Sequence, residues 1–321
     1  MAKLTGGGFT NLPPDRGALV EKLIRSERAF ASDSEEQGDD LYVLVLENTE
    51  TGQIRGTCQI FGMVGVESPF YSYRISMLTQ TSRALGRTFR AQTLSLVTDF
   101  EGSSEVGGLF LHPGERAGGL GMLLARSRYL FIRQHRARFG DRVLAELRGV
   151  IDEAGGSPFW DALAGRFFGM SFQEADEFNA MHGTQFIADL MPKTPIYTAL
   201  LADSALAVMG LPHPSGRAAM KMLEREGFQY DCYVDIFDGG PTMACKTDAI
   251  RSIRDSRDHV LSAISDDIDS EPLMLAAGRL GGFVACYGQI GLEPDGSATV
   301  DSKSAELLGI EVGDSFVAMG R

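Results

Sequence analysis

Residues 105–121 read EVGGLFLHPGERAGGLG, and how this stretch folds decides the architecture around it. Glu105–Leu111 (EVGGLFL) is a strand-like run, and His112-Pro113-Gly114 ends it, because proline disfavours a regular continuation and glycine favours a turn. From about Gly119 to Phe139 apolar residues return at Leu120, Leu124, Leu130 and Phe131, a spacing that predicts a long helix with one packed face. The segment is therefore a strand, a glycine-rich turn and a helix. Amide N–H groups of a first helical turn have no intrahelical partners, and the helix dipole places partial positive charge there, so a diphosphate is stabilised at that end. Gly118, Gly119 and Gly121 let its oxygens approach without Cβ interference, and Arg116 adds a cation. Spelling excludes two other phosphate motifs, G-x-x-x-x-G-K-[ST] and G-x-G-x-x-G. What stands here is Arg116-Ala117-Gly118-Gly119-Leu120-Gly121, an R-x-x-G-x-G.

Upstream, a glycine-rich opening (Gly6, Gly7, Gly8) and Pro13-Pro14-Asp15 precede a helical pattern through Leu19, Leu23, Ile24 and Ala29 to Phe30. Leu41–Glu47 and Ile54–Met63 read as a hairpin about a turn containing Gly52, and Tyr71–Leu78 and Thr93–Phe100 are further strands, so the first half is an antiparallel meander. Downstream, Arg142–Ile151 is strand-like. Ser157-Pro158 then opens a helix whose aromatics (Phe159, Trp160, Phe167, Phe168) are expected in the core. His213-Pro214-Ser215-Gly216 leads into a helix stopped by Gly227, followed by a strand over Phe228–Phe237 that turns at Asp238-Gly239-Gly240-Pro241. Lys246–Glu271 reads as a polar connection with one short helix. After Pro272 come strands at Leu273–Leu280 and Phe283–Ile290, a turn at Glu293–Gly296, a helix at Ser304–Leu308 and a last strand at Phe316, which together suggest a small C-terminal β subdomain.

At 321 residues the chain is long enough for two domains, or one with an appendage, and its 44% hydrophobic and 23% charged content excludes disordered and fibrous classes. Thirty basic against forty-three acidic residues give a net charge of −13, which opposes general affinity for nucleic acid or an anionic membrane. Between Arg116 and Arg148, however, eight arginines face only Asp141 and Glu146, a reversal that fits either a solvated helix face or an anion site. No apolar stretch is long enough to span a membrane, and no secretory signal opens the chain, so the cytoplasm is the expected location. Cys58, Cys232, Cys245 and Cys286 form no C-x-x-C pair; buried free thiols are expected, with neither a disulfide framework nor a metal site.

The R-x-x-G-x-G between a strand and a helix resembles the acyl-CoA-binding loop of the GNAT N-acyltransferase superfamily. The strings Thr5–Pro13 (TGGGFTNLP), Ser157–Trp160 (SPFW), Phe186–Pro192 (FIADLMP), His213-Pro214 and Tyr233–Pro241 (YVDIFDGGP) are, more specifically, similar to the arginine N-succinyltransferase family along nearly the whole chain. The resemblance implies an α+β fold with a GNAT-like mixed, mainly antiparallel sheet flanked by helices over residues 1–246, then a connecting segment and a small β subdomain over 247–321. It implies transfer of a succinyl group from succinyl-CoA to L-arginine, giving N2-succinyl-L-arginine, in arginine catabolism and with no tightly bound cofactor. Ornithine as acceptor, or a weakly catalytic partner subunit, are the alternatives. A homo- or hetero-oligomer is expected. Relatives begin with an extra strand and most of a helix ahead of TGGGFTNLP, so this form is expected to lack an edge strand or to derive from a longer one, and to be less stable than an extended chain.

By the same resemblance His213, followed by proline, matches the family's proton donor, a role suited to an imidazole; on the sequence alone it caps the helix opening at Ser215. His112, in the turn, is expected to be structural or phosphate-side, and His135 and His182 solvent-exposed. Coenzyme A is expected along the backbone of Leu109, Phe110 and Leu111, where pantetheine can add like a strand, and on Arg116, Ala117, Gly118, Gly119, Leu120 and Gly121. Arg126 or Arg128 is either an adenosine-phosphate ligand or plain surface. An arginine substrate needs acids for its guanidinium and a donor for its carboxylate. Asp235 and Asp238, or Asp152 and Glu153, are candidates for the first, equally readable as turn and strand-end acids, and Arg148 for a carboxylate of substrate or succinyl group.

Overall fold

The computed structural model describes residues 15–320; the Gly6–Gly8 opening and the Thr5–Pro13 string lie outside them. In chain order the first half contains α1 (Arg16–Ala31), β1 (Leu41–Asn48), β2 (Gln53–Phe61), β3 (Ser72–Ser82), β4 (Arg87–Val97), β5 (Ser104–Leu111), α2 (Leu120–Gln134) and β6 (Arg142–Glu146). Short helices α3 (Pro158–Ala162), α4 (Gly165–Phe168), α5 (Phe172–His182), α6 (Gln185–Leu190) and α7 (Asp203–Leu206) follow, with β7 (Ile196–Tyr197) among them. Then come α8 (Arg217–Glu226), β8 (Gln229–Val234), β9 (Pro241–Lys246), α9 (Arg251–Arg254), β10 (Arg257–Ile264), β11 (Leu273–Ala277), β12 (Val284–Gly288), β13 (Ile290–Leu292), β14 (Ala298–Val300), α10 (Ser302–Leu308) and β15 (Ser315–Met319). The chain is α+β, with mixed and mainly antiparallel sheets flanked by helices. Among the described residues no helix is long and apolar enough to cross a membrane.

Two compact units are assembled from alternating pieces of chain. The first takes the chain up to Gly62, Val106–Asp141 and Lys246–Arg321; the second takes Met63–Glu105 and Arg142–Cys245. In the first unit, Asp15 caps α1 by accepting the Ala18 N–H at 2.8 Å, and Ser26 of that helix accepts the Val43 N–H of β1 at 2.9 Å. β1 and β2 form the expected hairpin, from Leu41↔Phe61 to Asn48↔Gln53. The C-terminal sheet runs β12-β11-β15-β10-β14-β13. Its Met274, Ala276, Val317 and Met319 pack on Leu123 and Leu130 of α2, so every residue of α2 from Leu123 to Ile132 is buried, rather than one face.

That burial corrects several expectations. Arg126, Arg128 and Arg138 are buried, and so is His135. Arg128 donates to the Ala125 and Gly107 carbonyls and Arg126 to that of Gly320, while His135 Nε2 accepts the Leu280 N–H at 3.2 Å. Arg133 and Arg136 pair with Asp258 and with Asp141 and Asp248. Most of the positive run is therefore neither free surface nor phosphate site; its guanidinium groups are held by carbonyls or acids of this same unit. Lys246–Glu271 is not merely a connection either, since β10 lies between β15 and β14 in the sheet. Of its eight residues only Leu261 is buried, which removes the alternation that would have marked it.

The second unit orders its strands β6-β9-β8-β3-β4-β7, with β6 parallel to the first two residues of β5 and the pairs β9–β8, β8–β3, β3–β4 and β4–β7 antiparallel. Its core stacks Trp160 on Phe168 and Phe237. Ser157 accepts the Trp160 N–H as the expected cap, but Phe167 is exposed. Of the cysteines, Cys58 and Cys286 are buried, Cys245 is half-buried and Cys232 is exposed, so the expectation of burial holds for two of the four.

Candidate active site

The glycine-rich turn belongs to the first unit. β2 braces it: Arg55 reaches Glu115 at 2.9 Å and His112 Nδ1 at 2.9 Å, and its carbonyl accepts the His112 N–H at 2.8 Å. His112 also accepts the Gly114 N–H at 3.2 Å, so it is tied into the turn from both sides. Gly118 and Gly119 have φ of 64° and 84°, the left-handed region in which a β-carbon is strained, and they swing the chain into α2 without a side-chain cap. Tyr287 from the C-terminal sheet fixes the corner by donating to the Gly119 carbonyl at 3.0 Å. Among the described residues the N–H groups of Ala117, Gly119 and Gly121 donate to no protein group, and Ala117 and Gly119 are exposed. Arg116 is exposed beside them, its Nε 3.4 Å from the Leu111 carbonyl. Three available amides at the start of a fifteen-residue helix, with a cation adjacent, make an anion cradle. β6 is paired with β5 only at Ser104↔Val143 and Glu105↔Leu144, so among the described residues no strand pairs with that edge at Leu109, Phe110 or Leu111.

The remaining candidates belong to the second unit, where three loops are laced together. Beyond β6, the Leu147 N–H donates to the Pro241 carbonyl at 3.1 Å, and the Arg148 carbonyl accepts the His213 N–H at 2.7 Å. The Asp238 carboxylate accepts the Gly149 N–H at 2.7 Å and the Gly240 N–H at 2.8 Å. Asp235 Oδ1 accepts from both Phe237 and Asp238, at 2.7 and 2.8 Å. The loops are close enough that a β-carbon on Gly240 would sit 2.0 Å from the Leu147 carbonyl oxygen, and one on Gly149 2.3 Å from that of Asp238. The turn DIFDGG thus uses its acids to hold backbone. Asp152 does likewise, accepting the Ala154 and Gly156 N–H groups, and with Glu153 it is exposed on a separate turn.

His213 is half-buried, with Nδ1 2.7 Å from Ser215 Oγ. Burial, and then the positive charge of Arg148, lower its pKa below the ordinary imidazole value, so the ring is neutral at pH 7. With Nδ1 engaged by Ser215, Nε2 is the nitrogen left to exchange a proton. The acids behave oppositely. Burial, then the charge of Asp235, raises Asp238 to about 8. Burial also raises Asp235, and it holds Glu146 well above the usual carboxylate range, reinforced by Asp235, Glu105 and Asp238. Glu146 was not legible as a site residue; the one signal was its position two before Arg148 on an extended strand, which puts both on one face. Among the described residues, the Arg148 Nε and Tyr73 Oη are buried without a hydrogen-bond partner.

Residues 1–252 match the family "Arginine N-succinyltransferase beta subunit", and residues 257–320 match the family that describes the C-terminal domain of that same protein. The arginine N-succinyltransferase of Salmonella schwarzengrund is 46% identical over 257 residues, which is 80% of this chain and 74% of that protein. Arginine N-succinyltransferase subunit beta of Pseudomonas aeruginosa is 42% identical over 275 residues, 86% of this chain and 80% of that one. The solved structure of arginine/ornithine succinyltransferase subunit AI from Pseudomonas aeruginosa superposes with a TM-score of 0.87 at 33% identity, over 98% of this chain and 91% of that one. With an anion cradle in one unit, a histidine loop hydrogen-bonded to the Arg148 carbonyl in the other, and these matches over nearly its whole length, the chain belongs to the arginine N-succinyltransferase beta subunit family.

Proposed function

We propose that the chain transfers the succinyl group of succinyl-CoA to the α-amino group of L-arginine, in the cytoplasm and without a tightly bound cofactor. The observation that carries this reading is the turn Arg116–Gly121, whose Ala117, Gly119 and Gly121 amides donate to no group among the described residues. Coenzyme A lies with its diphosphate on those amides and Arg116, and its pantetheine arm adds along Leu109–Leu111 as a strand. The free amine of arginine attacks the thioester carbon, forming the C–N bond as the C–S bond breaks. His213 Nε2 receives the proton that nitrogen must lose and returns it to the departing sulfur, so free CoA leaves as a thiol.

Arg148, with its unpartnered Nε, takes the substrate carboxylate as a charge-assisted hydrogen bond. Asp235 faces the guanidinium, whereas Asp238 has both carboxylate oxygens committed to backbone and contributes mainly by holding the loop. The test is thiol release by the purified chain with succinyl-CoA and L-arginine, repeated with His213→Ala and with L-ornithine, since the solved relative is named for both amino acids. Turnover falling about 10²–10⁴-fold in the variant is expected. Undiminished turnover in His213→Ala would overturn the assignment of the histidine, and a chain inactive until a second subunit is added would overturn self-sufficient catalysis.

A further inference from the structure

Glu146 closes β6, and its Oε1 lies 3.5 Å from Thr242 Oγ1 of β9. On the other side of β9, Asp235 donates its N–H to the Gly240 carbonyl at 2.8 Å, so the two acids flank the start of that strand. Each is half-buried and so keeps a way out to solvent, whereas Asp238 is buried with its oxygens on the Gly149 and Gly240 amides. Among the described residues no lysine or arginine forms an ion pair with any of the three. An ionised carboxylate without a countercharge is costly to remove from water, so such a group holds its proton until a cation joins it. Desolvation, then the charges of Asp235, Glu105 and Asp238, accordingly raises Glu146 well above the usual carboxylate range.

A second group beside the acids is also unmatched. Tyr73, paired in register with Val234 next to Asp235, is 1% exposed, and its Oη has no hydrogen-bond partner among the described residues. The charge that acts on it is that of Asp235. Hydroxyls buried in a finished core are paired, so an unpaired one in the field of a carboxylate points to a ligand rich in donors. A guanidinium supplies what the acids and the hydroxyl lack: a positive charge that is permanent near neutral pH, and a planar fork of N–H groups.

We propose that Glu146 is a specificity-determining residue for the amino-acid substrate: its carboxylate pairs with the guanidinium beside Asp235, and a proton leaves the acid cluster for solvent as the pair forms. The inference rests on the reading of the chain as an arginine succinyltransferase, and it adds which acid selects the side chain and what is exchanged for it. The guanidinium keeps all its protons, and the one released comes from a carboxyl. The groups acting on Glu146 are Asp235 and Asp238 from the turn after β8 and Glu105 from β5, with Thr242 of β9 as its hydrogen-bond partner; the charge of Arg148 acts on His213 and on Asp176 of α5. Because a proton is given up, arginine should bind more tightly as pH rises through neutrality.

The test is calorimetric titration of the purified full chain with L-arginine at neutral pH, with free CoA present, in phosphate and in Tris, whose ionisation enthalpies differ widely. The dependence of the heat on buffer counts protons and needs no turnover. Release of about one proton is expected with L-arginine, and none with L-citrulline, whose side chain ends in a neutral urea. Glu146→Gln should abolish most of that release and raise KM for arginine about thirtyfold or more while KM for succinyl-CoA is unchanged. Glu146→Asp should retain most of the release, and thermal unfolding verifies that each variant is folded. Undiminished proton release in Glu146→Gln, or an unchanged preference for arginine over citrulline, would overturn the role of Glu146 and leave succinyl transfer standing. A wild-type chain that neither binds nor acylates arginine would overturn the underlying reading, and this inference with it.

Discussion

Replacing Asp238 by asparagine should change how stability depends on pH, and the structure fixes both sign and size. Burial and the charge of Asp235 raise the folded-state pKa of Asp238 to about 8, against roughly 3.9 in an unfolded chain. A carboxyl whose pKa is raised by folding favours the native state most at low pH, and that contribution is lost as pH rises through the interval between the two values. One proton taken up on folding corresponds to about 1.4 kcal/mol per pH unit, or about 2.7 kcal/mol between pH 5.5 and 7.5. Asparagine cannot titrate, and it keeps only one acceptor for the two amides of Gly149 and Gly240, a loss of about 1–3 kcal/mol. The variant should therefore be clearly weaker than wild type at pH 5.5 and approach or overtake it by pH 7.5. Urea unfolding of both proteins across this range, with unfolding free energies taken by linear extrapolation, gives the difference for Asp238 together with the neighbours it acts on, Asp235 and Glu146, because titrating groups away from this cluster cancel. Parallel curves, with a constant gap at every pH, would refute the reasoning.

Other outcomes follow from the same geometry. Gly119→Ala places a β-carbon at φ 84°, a strain of about 1–2 kcal/mol that the turn relieves by moving its amides, so KM for succinyl-CoA should rise about tenfold in steady-state assays with kcat less affected. Arg148→Met removes a positive charge that holds the His213 pKa down, so the acid limb of the kcat/KM profile should move to higher pH as KM for arginine rises; an unmoved limb would disconnect the two residues. Gly240→Ala forces a β-carbon to 2.0 Å from the Leu147 carbonyl oxygen and should lower the thermal midpoint by far more than Gly118→Ala, whose β-carbon meets nothing within 4 Å.

Legibility in the sequence followed local physics. The β5–turn–α2 segment could be read because its punctuation is local: proline and glycine stop the strand, and glycines at left-handed φ start the helix. The N-cap at Ser157 and the Gly227 stop after α8 were visible for the same reason. β10 was hidden because a strand exposed along most of its length carries no apolar alternation. The all-round burial of α2 was hidden because what covers Leu123 and Leu130 lies well over a hundred residues later, in Met274–Met319, and no periodicity on α2 announces a second layer. At the candidate site, residue types were right and their duties partly different. Asp238 could be picked out as an acid at a turn, but only the distances show that both its oxygens are spoken for by amides, and only the fold brings Glu146 into the same electrostatic neighbourhood.

The interleaving of the two units also has a temporal side. Helix α2, which presents the cradle, is covered by side chains from β11 and β15, and β15 ends about 200 residues after the helix begins. At translation speeds of 5–20 residues per second, the newborn helix waits roughly 10–40 s for its last covering strand to leave the ribosome. Throughout that interval its buried arginines and leucines face water or a chaperone, so the ability to grip an acyl carrier should be among the last properties this polypeptide acquires.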